Sequence, residues 1–255
     1  MLTIDFNRIN IQKDETVLDL GCGEGRHTLG TKLLHPEAKA IGLDLSFKDL
    51  KEAKNRHINF YVDHREKSNL NKESPHLKLD ALYSQGNAYN LPFADETFDH
   101  VICSEVLEHI DDYQGVLNEI SRIIKPGGTL NISVPRRWPE KICWRFSKAY
   151  YSVPGGHVRI FKESELKRNI ERKAFLYKNR HWSHALHSPY WWLRCLFWND
   201  NEDQQHWLVR QYHKVLVWDL IEKPWITQTL EKCLNPVMGK SVVMYFKKIE
   251  AKDHV

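Results

Sequence analysis

The chain has 255 residues, of which 42% are hydrophobic and 27% are charged, a balance typical of soluble globular proteins. This composition excludes disordered, collagen-like and fibrous classes, and the length allows one embellished domain or two small ones. The net charge of +4 is too small to mark an obligate nucleic-acid binder, although it neither demands nor forbids an anionic partner. Because no separate basic domain or RNA-binding fold is visible in the sequence, we expect no nucleic-acid partner.

Membrane spans and export signals are not predicted. The longest strongly apolar stretch, residues 190–198, contains Arg194 and is far shorter than the ~20 residues that cross a bilayer. The first residues lack the basic and apolar regions of a signal peptide. Five scattered cysteines form no C-x-x-C pair. We therefore expect a cytoplasmic protein with reduced thiols.

The first part of the chain alternates apolar runs with helical segments. Residues 16–20 predict a strand, residues 21–25 a glycine turn and residues 26–34 a helix. A second strand is predicted at 38–45, and Ser46 can cap a helix that begins near Phe47 and runs to about Asn55. The charged stretch that follows, up to Lys78, carries no clear pattern.

Three further strands are predicted at 81–85, 98–104 and 129–134. Between the last two, apolar residues recur at helical spacing from Val116 to Ile124; Asp111 or Asp112 can cap this helix, and a Pro-Gly-Gly run at 126–128 ends it. Strands that alternate with helices predict a parallel sheet covered on both faces.

The second part of the chain is rich in aromatic residues. A loop is predicted at 135–157, a helix at 163–173, and strands at 175–182 and 241–248. All nine tryptophans lie at or after Trp138. We divide the chain into a core of residues 1–187 and 240–255 and an aromatic helical insertion at 188–239, in which residues 207–216 suit an amphipathic helix.

The glycine turn and two carboxylates predict an adenosine-type cofactor. The turn has G-x-G-x-G spacing, which lets a ligand approach the backbone at a helix N-terminus. Asp44, at the end of the second strand, can accept both hydroxyls of a ribose. Asp19, just before the turn, would repel a pyrophosphate but favour the ammonium and sulfonium groups of S-adenosylmethionine. This cofactor is therefore favoured over a dinucleotide.

Five linked motifs resemble class I S-adenosylmethionine-dependent methyltransferases, in particular small-molecule enzymes of the methyltransferase-11 type. They are V-L-D-L-G-C-G-E-G-R at 17–26, G-L-D-L at 42–45, G-N-A-Y-N-L-P-F at 86–93, T-F-D-H-V-I-C-S-E-V-L-E-H at 97–109 and I-K-P-G-G at 124–128. Their order and spacing match over roughly residues 14–135. The resemblance implies an α/β, Rossmann-like fold with a seven-stranded, mostly parallel sheet whose last strand is antiparallel.

The resemblance also implies the cofactor-binding residues. Besides Asp19 and the ribose ligand Asp44, they are Gly21, Cys22, Gly23, Gly25, Leu45, Asn87, Ala88, Ser104 and Glu105. The glycine turn would hold the methionine end, and Asn87 and Ala88 the adenine. Asn87 departs from the family's usual Asp, but its amide oxygen can still accept a hydrogen bond from the adenine amino group.

Histidines are the catalytic candidates. His157 lies in a loop that, by the same resemblance, faces the methyl acceptor, where it could act as a general base, and His109 is the second candidate. Alternatively, His157 only holds its loop by a hydrogen bond.

Two groups of polar residues offer metal-binding alternatives, and we expect no metal at either. Glu105, Glu108 and His109 could hold a metal ion, but we favour a role for Glu105 in the cofactor pocket and pairing of the other two at a helix start. His181, His184 and His187 would share a face only on a helix. A strand there favours structural or acceptor-lining roles.

The predicted function is transfer of a methyl group from S-adenosylmethionine to oxygen or carbon of a small, mostly apolar or aromatic acceptor. The aromatic insertion could be a buried cap, the wall of the acceptor pocket, or a contact with a membrane surface, as basic and aromatic residues are interleaved. The alternatives are a lipid or isoprenoid acceptor at a membrane surface, an RNA or protein methyltransferase, and a non-catalytic cofactor-binding domain.

Overall fold

The computed structural model describes residues 2–67, 81–199 and 204–250, and these contain one seven-stranded sheet. Its strands lie in the order β3-β2-β1-β4-β5-β7-β6, and β7 is antiparallel to both of its neighbours. The strands are β1 Thr16–Leu20, β2 Lys39–Asp44, β3 Ala81–Gln85, β4 Phe98–Ser104, β5 Ile124–Pro135, β6 Phe175–Ser183 and β7 Ser241–Lys248. The predicted fold class is confirmed, including the antiparallel last strand.

The described helices cover the sheet and fill the segment between β6 and β7. They are α1 Arg26–Leu34, α2 Phe47–Lys67, α3 Tyr113–Ile123, α4 Arg137–Phe146, α5 Lys148–Ser152, α6 Glu163–Glu171, α7 His187–Leu196, α8 Trp207–Glu222 and α9 Trp225–Met238. Short 3-10 helices lie at Phe6–Arg8 and Leu107–His109. All five cysteines are free thiols, as expected.

The core is densest where α3 packs on the central strands. Four α3 side chains, Val116, Leu117, Ile120 and Ile123, are almost fully buried at the predicted helical spacing. Asp112 caps this helix, because its carboxylate accepts a hydrogen bond from the Gly115 amide at 3.0 Å. Apolar periodicity and a cap residue thus fix the helix that supports β4, and β4 leads into the site.

Two elements, α2 and β5, extend well beyond their predicted bounds. α2 continues to Lys67 instead of ending near Asn55. β5 begins at Ile124, so the Pro-Gly-Gly run lies inside the strand, where a register shift against β4 accommodates it. The strand therefore begins directly where α3 ends, without an intervening loop.

The predicted loop at 135–157 is wrong, because α4 and α5 occupy most of it. α4 buries Pro139, Glu140 and Cys143 on one face and packs on α7, where the Trp192 indole N–H donates to the Pro139 carbonyl at 3.1 Å. Ser147 caps α5. The helical face is stabilised by residues of the insertion that lie some fifty positions away in the chain, which local sequence patterns do not show.

Seven of the nine tryptophans fall into two groups. Trp144, Trp191, Trp192 and Trp198 pack into a cluster with Tyr150 and two cysteines, as expected for a buried cap. Trp207, Trp218 and Trp225, on α8 and α9, are instead exposed. Among the described helices, none is both long and apolar enough to cross a membrane.

Candidate active site

The glycine turn that joins β1 to α1 has the backbone shape that only glycine adopts readily. Gly21, Gly23 and Gly25 all have positive φ, at 68°, 50° and 74°. A Cβ on Gly21 would approach a Val106 methyl to 2.4 Å, whereas a Cβ on Gly23 would point into open space. Gly21 is therefore required by packing, and Gly23 leaves room for a ligand against the backbone.

Asp44 is tied directly to this turn. One of its carboxylate oxygens accepts from the Gly23 amide at 2.8 Å, and the other accepts from the Ser46 amide at 2.8 Å. Each oxygen keeps a second lone pair for a further hydrogen bond. The end of β2 and the turn after β1 are thus joined, and together they present the Asp44 carboxylate at the carboxyl ends of the parallel strands.

Asp19 lies beneath the turn and does not line the cavity that the turn borders. Only 2% of it is exposed, and its carboxylate accepts from the Thr28 amide at 2.8 Å and the Thr28 hydroxyl at 2.7 Å. Burial raises the pKa of Asp19 to about 6, although both hydrogen bonds oppose that shift. Its structural contribution is to hold the first turn of α1, and any effect on a ligand acts through its charge.

A cavity of about 340 Å³ opens beside the turn. It brings together five residues predicted from the sequence and five others. The predicted ones are Gly21, Cys22, Gly23, Ser104 and Glu105; the others are Thr3, Glu24, Arg26, His27 and Asp49. Arg26 and His27 directly follow the turn and could have been inferred from that position. Thr3 comes from a segment distant in sequence and gave no such signal.

The remaining predicted cofactor residues lie beside Asp44 but outside this cavity. Leu45 follows β2 and is 69% exposed, and Asn87 is also exposed. The Gly86 amide donates to the Asp44 carbonyl at 3.0 Å, which places Asn87 and the half-buried Ala88 next to the end of β2. These three side chains therefore lie near the end of β2 without lining the cavity. Gly25 is outside the cavity lining and serves as the left-handed cap of α1.

The N-terminal segment forms one wall of the cavity through two buried histidines. His27 Nε2 accepts from the backbone amides of Thr3 and Ile4, at 3.2 and 3.4 Å. The Thr3 hydroxyl is hydrogen-bonded to His184 Nε2 at 3.0 Å. Since an accepting Nε2 must be unprotonated, His27 is neutral in this arrangement. Burial lowers the pKa of His27 to about 3, in agreement with that role.

His27 is expected to make the fold acid-sensitive. Its pKa is about 3 when folded and near 6.5 when unfolded, so the unfolded chain binds more protons between these values. The free energy of unfolding contributed by this group is fully present above pH 6.5 and falls by up to about 1.4 kcal/mol per pH unit on acidification. Urea midpoints measured from pH 7 to pH 4 should fall less steeply for His27→Gln. Parallel curves would contradict this role.

The predicted catalytic histidines lie together at the end of β4. The rings of His109 and His157 are 4.8 Å apart and meet edge to face. His157 Nδ1 is 2.6 Å from a carboxylate oxygen of Glu140, and His109 Nδ1 is 3.3 Å from the Gly156 carbonyl. Glu140 was not predicted, because it lies in the segment expected to be a loop.

Glu140 is a buried, ionised carboxylate, and it orients the His157 ring. Besides His157, it accepts from the Trp144 indole at 3.1 Å and the Tyr150 hydroxyl at 3.3 Å. Burial alone would raise the pKa of Glu140, but the hydrogen bond from His157 and the charge of Lys240 outweigh it, so the pKa is lowered. Because the carboxylate can only accept, Nδ1 of His157 donates this hydrogen bond, and in the neutral ring Nε2 then has the free lone pair.

Glu105 links this histidine pair to the cavity. It lines the cavity, has a φ of 57°, and accepts from the Ser133 hydroxyl at 2.8 Å. Ser104 is hydrogen-bonded to the same Ser133 hydroxyl at 2.9 Å. The charge of Glu105 acts on Glu108, whose pKa is raised well above its usual value by burial first and by Glu105 second. The predicted pairing of Glu108 with His109 is loose, at 4.0 Å.

The three histidines of the H-x-x-H-x-x-H stretch do not converge on one point. His181 lies on β6 and contacts Tyr245 on β7, at 3.3 Å from its hydroxyl. His184 follows the strand and contacts Thr3, while His187 begins α7 and meets the His184 ring at 5.4 Å. Among the described residues, the group that could hold a metal ion is Glu108, His109 and His157.

Comparison with known proteins identifies the domain around the glycine turn. The family model described as a methyltransferase domain matches residues 18–132. Residues 18–132 form a class I methyltransferase domain. This confirms the resemblance drawn from the five motifs, and the methyltransferase domain includes the turn, Asp44 and the histidine-bearing end of β4.

The curated relatives of this methyltransferase domain share about a third of their residues with it. The demethylmenaquinone methyltransferase of Oceanobacillus iheyensis is 32% identical over 147 residues, covering 57% of this chain and 54% of the relative. An uncharacterized methyltransferase of Schizosaccharomyces pombe is 35% identical over 118 residues, covering 46% of this chain and 39% of that protein. The chain thus spans about half the length, or less, of these relatives.

Solved structures share the fold across almost the whole chain. A SAM-dependent methyltransferase from Methanosarcina mazei has a TM-score of 0.55 at 16% identity and covers 94% of this chain and 95% of its own. The [4+2]-cyclase SpnF has a TM-score of 0.59 at 18% identity and covers 96% of this chain and 79% of its own. Since one of these neighbours is named as a cyclase, the fold alone does not fix the reaction.

Proposed function

We propose that the protein transfers a methyl group from S-adenosylmethionine to a small, mostly apolar or aromatic acceptor. The observation that carries this proposal is the Asp44 carboxylate bound to the Gly23 amide, with Glu105 lining the adjoining cavity. The charge of Glu105 also acts on Glu108, which lies beside the pair formed by His109 and His157. A nucleoside site and a proton-accepting site thereby lie along one edge of the sheet.

The residues present fit S-adenosylmethionine. Gly23 offers backbone with open space above it, and Asp44 keeps lone pairs for both ribose hydroxyls. The methionine carboxylate would meet Arg26 and the N-terminus of α1, where anions are stabilised. Glu105 supplies negative charge for the ammonium group. Leu45 and Ala88 offer apolar surface for the adenine.

The chain's own task is to position the acceptor and manage its proton. Bound S-adenosylmethionine supplies an activated methyl group whose C–S bond breaks with its electron pair passing to sulfur. The acceptor oxygen or carbon forms the new bond to that methyl group and loses a proton. His157, oriented by Glu140, and His109 are the residues that would act on the acceptor at that point.

The aromatic layer behind His157 favours an aromatic or quinone-type acceptor. The Tyr150 ring lies 5.6 Å from the His157 ring and also contacts Trp191 and Trp198, at 5.7 and 6.1 Å. Several relatives are named as demethylmenaquinone methyltransferases. An acceptor ring with an apolar tail suits both observations.

Methyl transfer can be measured directly with methyl-labelled S-adenosylmethionine. The purified chain would be offered a demethylated quinol in detergent, a small catechol, total RNA and a protein extract. Label in the quinol or catechol would support the proposal. Label only in RNA or protein, or in none of the four together with a failure to bind S-adenosylhomocysteine, would overturn it.

A membrane-embedded acceptor is the second candidate, because α8 and α9 expose an apolar surface. Ile221, Trp225, Ile226 and Val237 are each more than half exposed on these helices. The exposed charged residues around them are mostly basic: Arg210, Lys214, Lys223 and Lys232 against Glu222. Apolar and aromatic side chains with a basic border match an anionic lipid surface.

Vesicle flotation tests this surface. The protein is expected to float with vesicles that contain phosphatidylglycerol, and Ile221→Glu with Trp225→Glu should reduce the bound fraction several-fold by placing charge in the interface. Leu34→Glu, at an exposed site on α1, is the matched control and should float normally. Absence of wild-type binding at low salt, or a dimer by light scattering that the double variant abolishes, would contradict the membrane assignment.

A further inference from the structure

Glu108 is a fully buried carboxylate without a hydrogen-bond partner. Its exposed fraction is 0%, and neither of its side-chain oxygens contacts a donor among the described residues. A buried carboxylate in this situation is costly unless a cation or donor accompanies it. Lys240 lies near enough for its charge to act on Glu108, but it forms no ion pair with it among the described residues. To be ionised at this place, the carboxylate needs a positive partner.

Two imidazoles face this carboxylate with the correct nitrogens available. The Nδ1 atoms of both rings are already engaged as donors, to Glu140 in His157 and to the Gly156 carbonyl in His109. A carbonyl and a carboxylate can only accept, so Nδ1 is the donor in each ring, and in the neutral ring Nε2 has the lone pair that a metal ion requires. His109 Nε2 lies 4.0 Å from a Glu108 oxygen.

The three groups converge on one point. One ligand atom from each of Glu108, His109 and His157 lies within 4.8 Å of the others. Ligand atoms around a tetrahedral ion are separated by roughly 3.3 Å when the metal-ligand bonds are ~2.0 Å. Side-chain rotations that move the ligand atoms together by up to about 1.5 Å would close that difference. The backbone is already fixed by the hydrogen bond from the Val158 amide to the Glu108 carbonyl, at 2.8 Å.

We propose that Glu108, His109 and His157 bind one divalent transition-metal ion. Two imidazole nitrogens and one carboxylate oxygen suit Zn²⁺, Mn²⁺, Fe²⁺ or Co²⁺ better than Mg²⁺ or Ca²⁺, which prefer oxygen ligands. Glu140 is the outer partner that fixes the His157 ring, an arrangement common around metal-bound histidines. His184 Nδ1 and a Glu231 oxygen lie 3.9 Å apart, but no third ligand among the described residues completes a metal site with them. They are therefore not part of the proposed site.

The ion would leave coordination positions open toward the acceptor. His109 is the most exposed of the three ligands, with 36% of its side chain accessible, so an acceptor oxygen can approach from its side. In this role, which rests on the proposed function, Glu108, His109 and His157 would hold the ion, and the ion would supply Lewis-acid chemistry that makes an acceptor hydroxyl easier to deprotonate. With the ion bound, His157 would act as a ligand; without it, His157 is the general base of the proposed function.

Metal titration of the chelator-treated protein tests the binding itself. Zn²⁺ followed by calorimetry should bind with one equivalent per chain, and Co²⁺ should give the visible absorption bands of a low-coordinate nitrogen and oxygen site. Zn²⁺ should also raise the melting temperature of the wild type. Glu108→Gln should abolish the Co²⁺ bands and the Zn²⁺-dependent stabilisation. Because it removes an unpaired buried charge, this variant is expected to fold.

Two further variants test whether Zn²⁺ binding is specific to these three ligands. Glu231→Gln alters a buried carboxylate beside another histidine and should bind Zn²⁺ like the wild type. Glu140→Gln should weaken Zn²⁺ binding roughly 10- to 100-fold. No one-to-one binding by the wild type, or undiminished binding by Glu108→Gln, would overturn the metal site. S-adenosylhomocysteine affinity, measured on the same samples, reports separately on the donor site.

Discussion

Asp44→Ala is expected to weaken the binding of S-adenosylhomocysteine about 100-fold, the largest effect predicted for the donor site. The substitution removes the acceptor of both ribose hydroxyls, and a hydrogen bond to a charged group contributes ~1.5–3 kcal/mol. It also releases the Gly23 and Ser46 amides that Asp44 now holds. Calorimetry on the purified wild type and variant measures the change directly.

Asp95→Ala is the control for this experiment. Asp95 is exposed, pairs with Arg122 at 2.9 Å and precedes β4, away from the carboxyl ends of the strands. It should leave cofactor affinity unchanged. Equal affinity in the wild type and in Asp44→Ala would remove Asp44 from the site and, with it, the interpretation of Asp44 and the glycine turn as the ribose and methionine ends of one nucleoside cleft.

His157→Ala is expected to lower kcat by a factor of roughly 10² to 10⁴ while leaving S-adenosylhomocysteine affinity intact. The residue touches Glu140, His109 and Tyr150 but does not line the cofactor cavity. Its loss should therefore affect the acceptor half of the reaction alone. Turnover would be measured under saturating S-adenosylmethionine, with the best acceptor from the transfer assay.

His181→Ala provides the matched control, because this half-buried histidine contacts Tyr245 and lies outside the proposed machinery. It should retain full turnover. Unchanged kcat in His157→Ala would leave the histidine with only the role of holding its loop. A parallel loss of cofactor affinity and turnover would instead indicate that the substitution disturbs the end of β4.

The central elements could be predicted because local sequence determines them. β1, α1, β4 and β7 have the predicted bounds, since each combines an unbroken apolar or helical pattern with a clear end signal. Asp44 and the glycine turn were predicted for the same reason. Their positions follow from consecutive strands of a parallel sheet, whose carboxyl ends meet at one edge.

The acceptor side could not be predicted, because it depends on contacts distant in sequence. Glu140 was assigned to a loop, yet α4 forms when its face packs on α7 and presents that carboxylate to His157. The convergence of His157 with Glu108 and His109, nearly fifty positions earlier, has no signature in spacing. Thr3 reaches the cavity wall only through its contacts with His27 and His184.

The tryptophan pattern shows the same limit. The sequence leaves three interpretations open for the aromatic insertion, and the structure separates its tryptophans into a packed group and an exposed group. Trp191 and Trp198 pack against Tyr150, which contacts His157, whereas Trp218 and Trp225 are exposed on α8 and α9. Composition cannot separate the two groups, because the distinction depends on which helix face meets the core.

A crystal structure of the protein with S-adenosylhomocysteine tests the account most directly. It should show the homocysteine end against the backbone at Gly23, and both ribose hydroxyls within hydrogen-bond distance of Asp44. Crystals grown or soaked with this nucleoside that show no density for it beyond the carboxyl ends of β1 and β2, or that hold NAD there instead, would contradict the account.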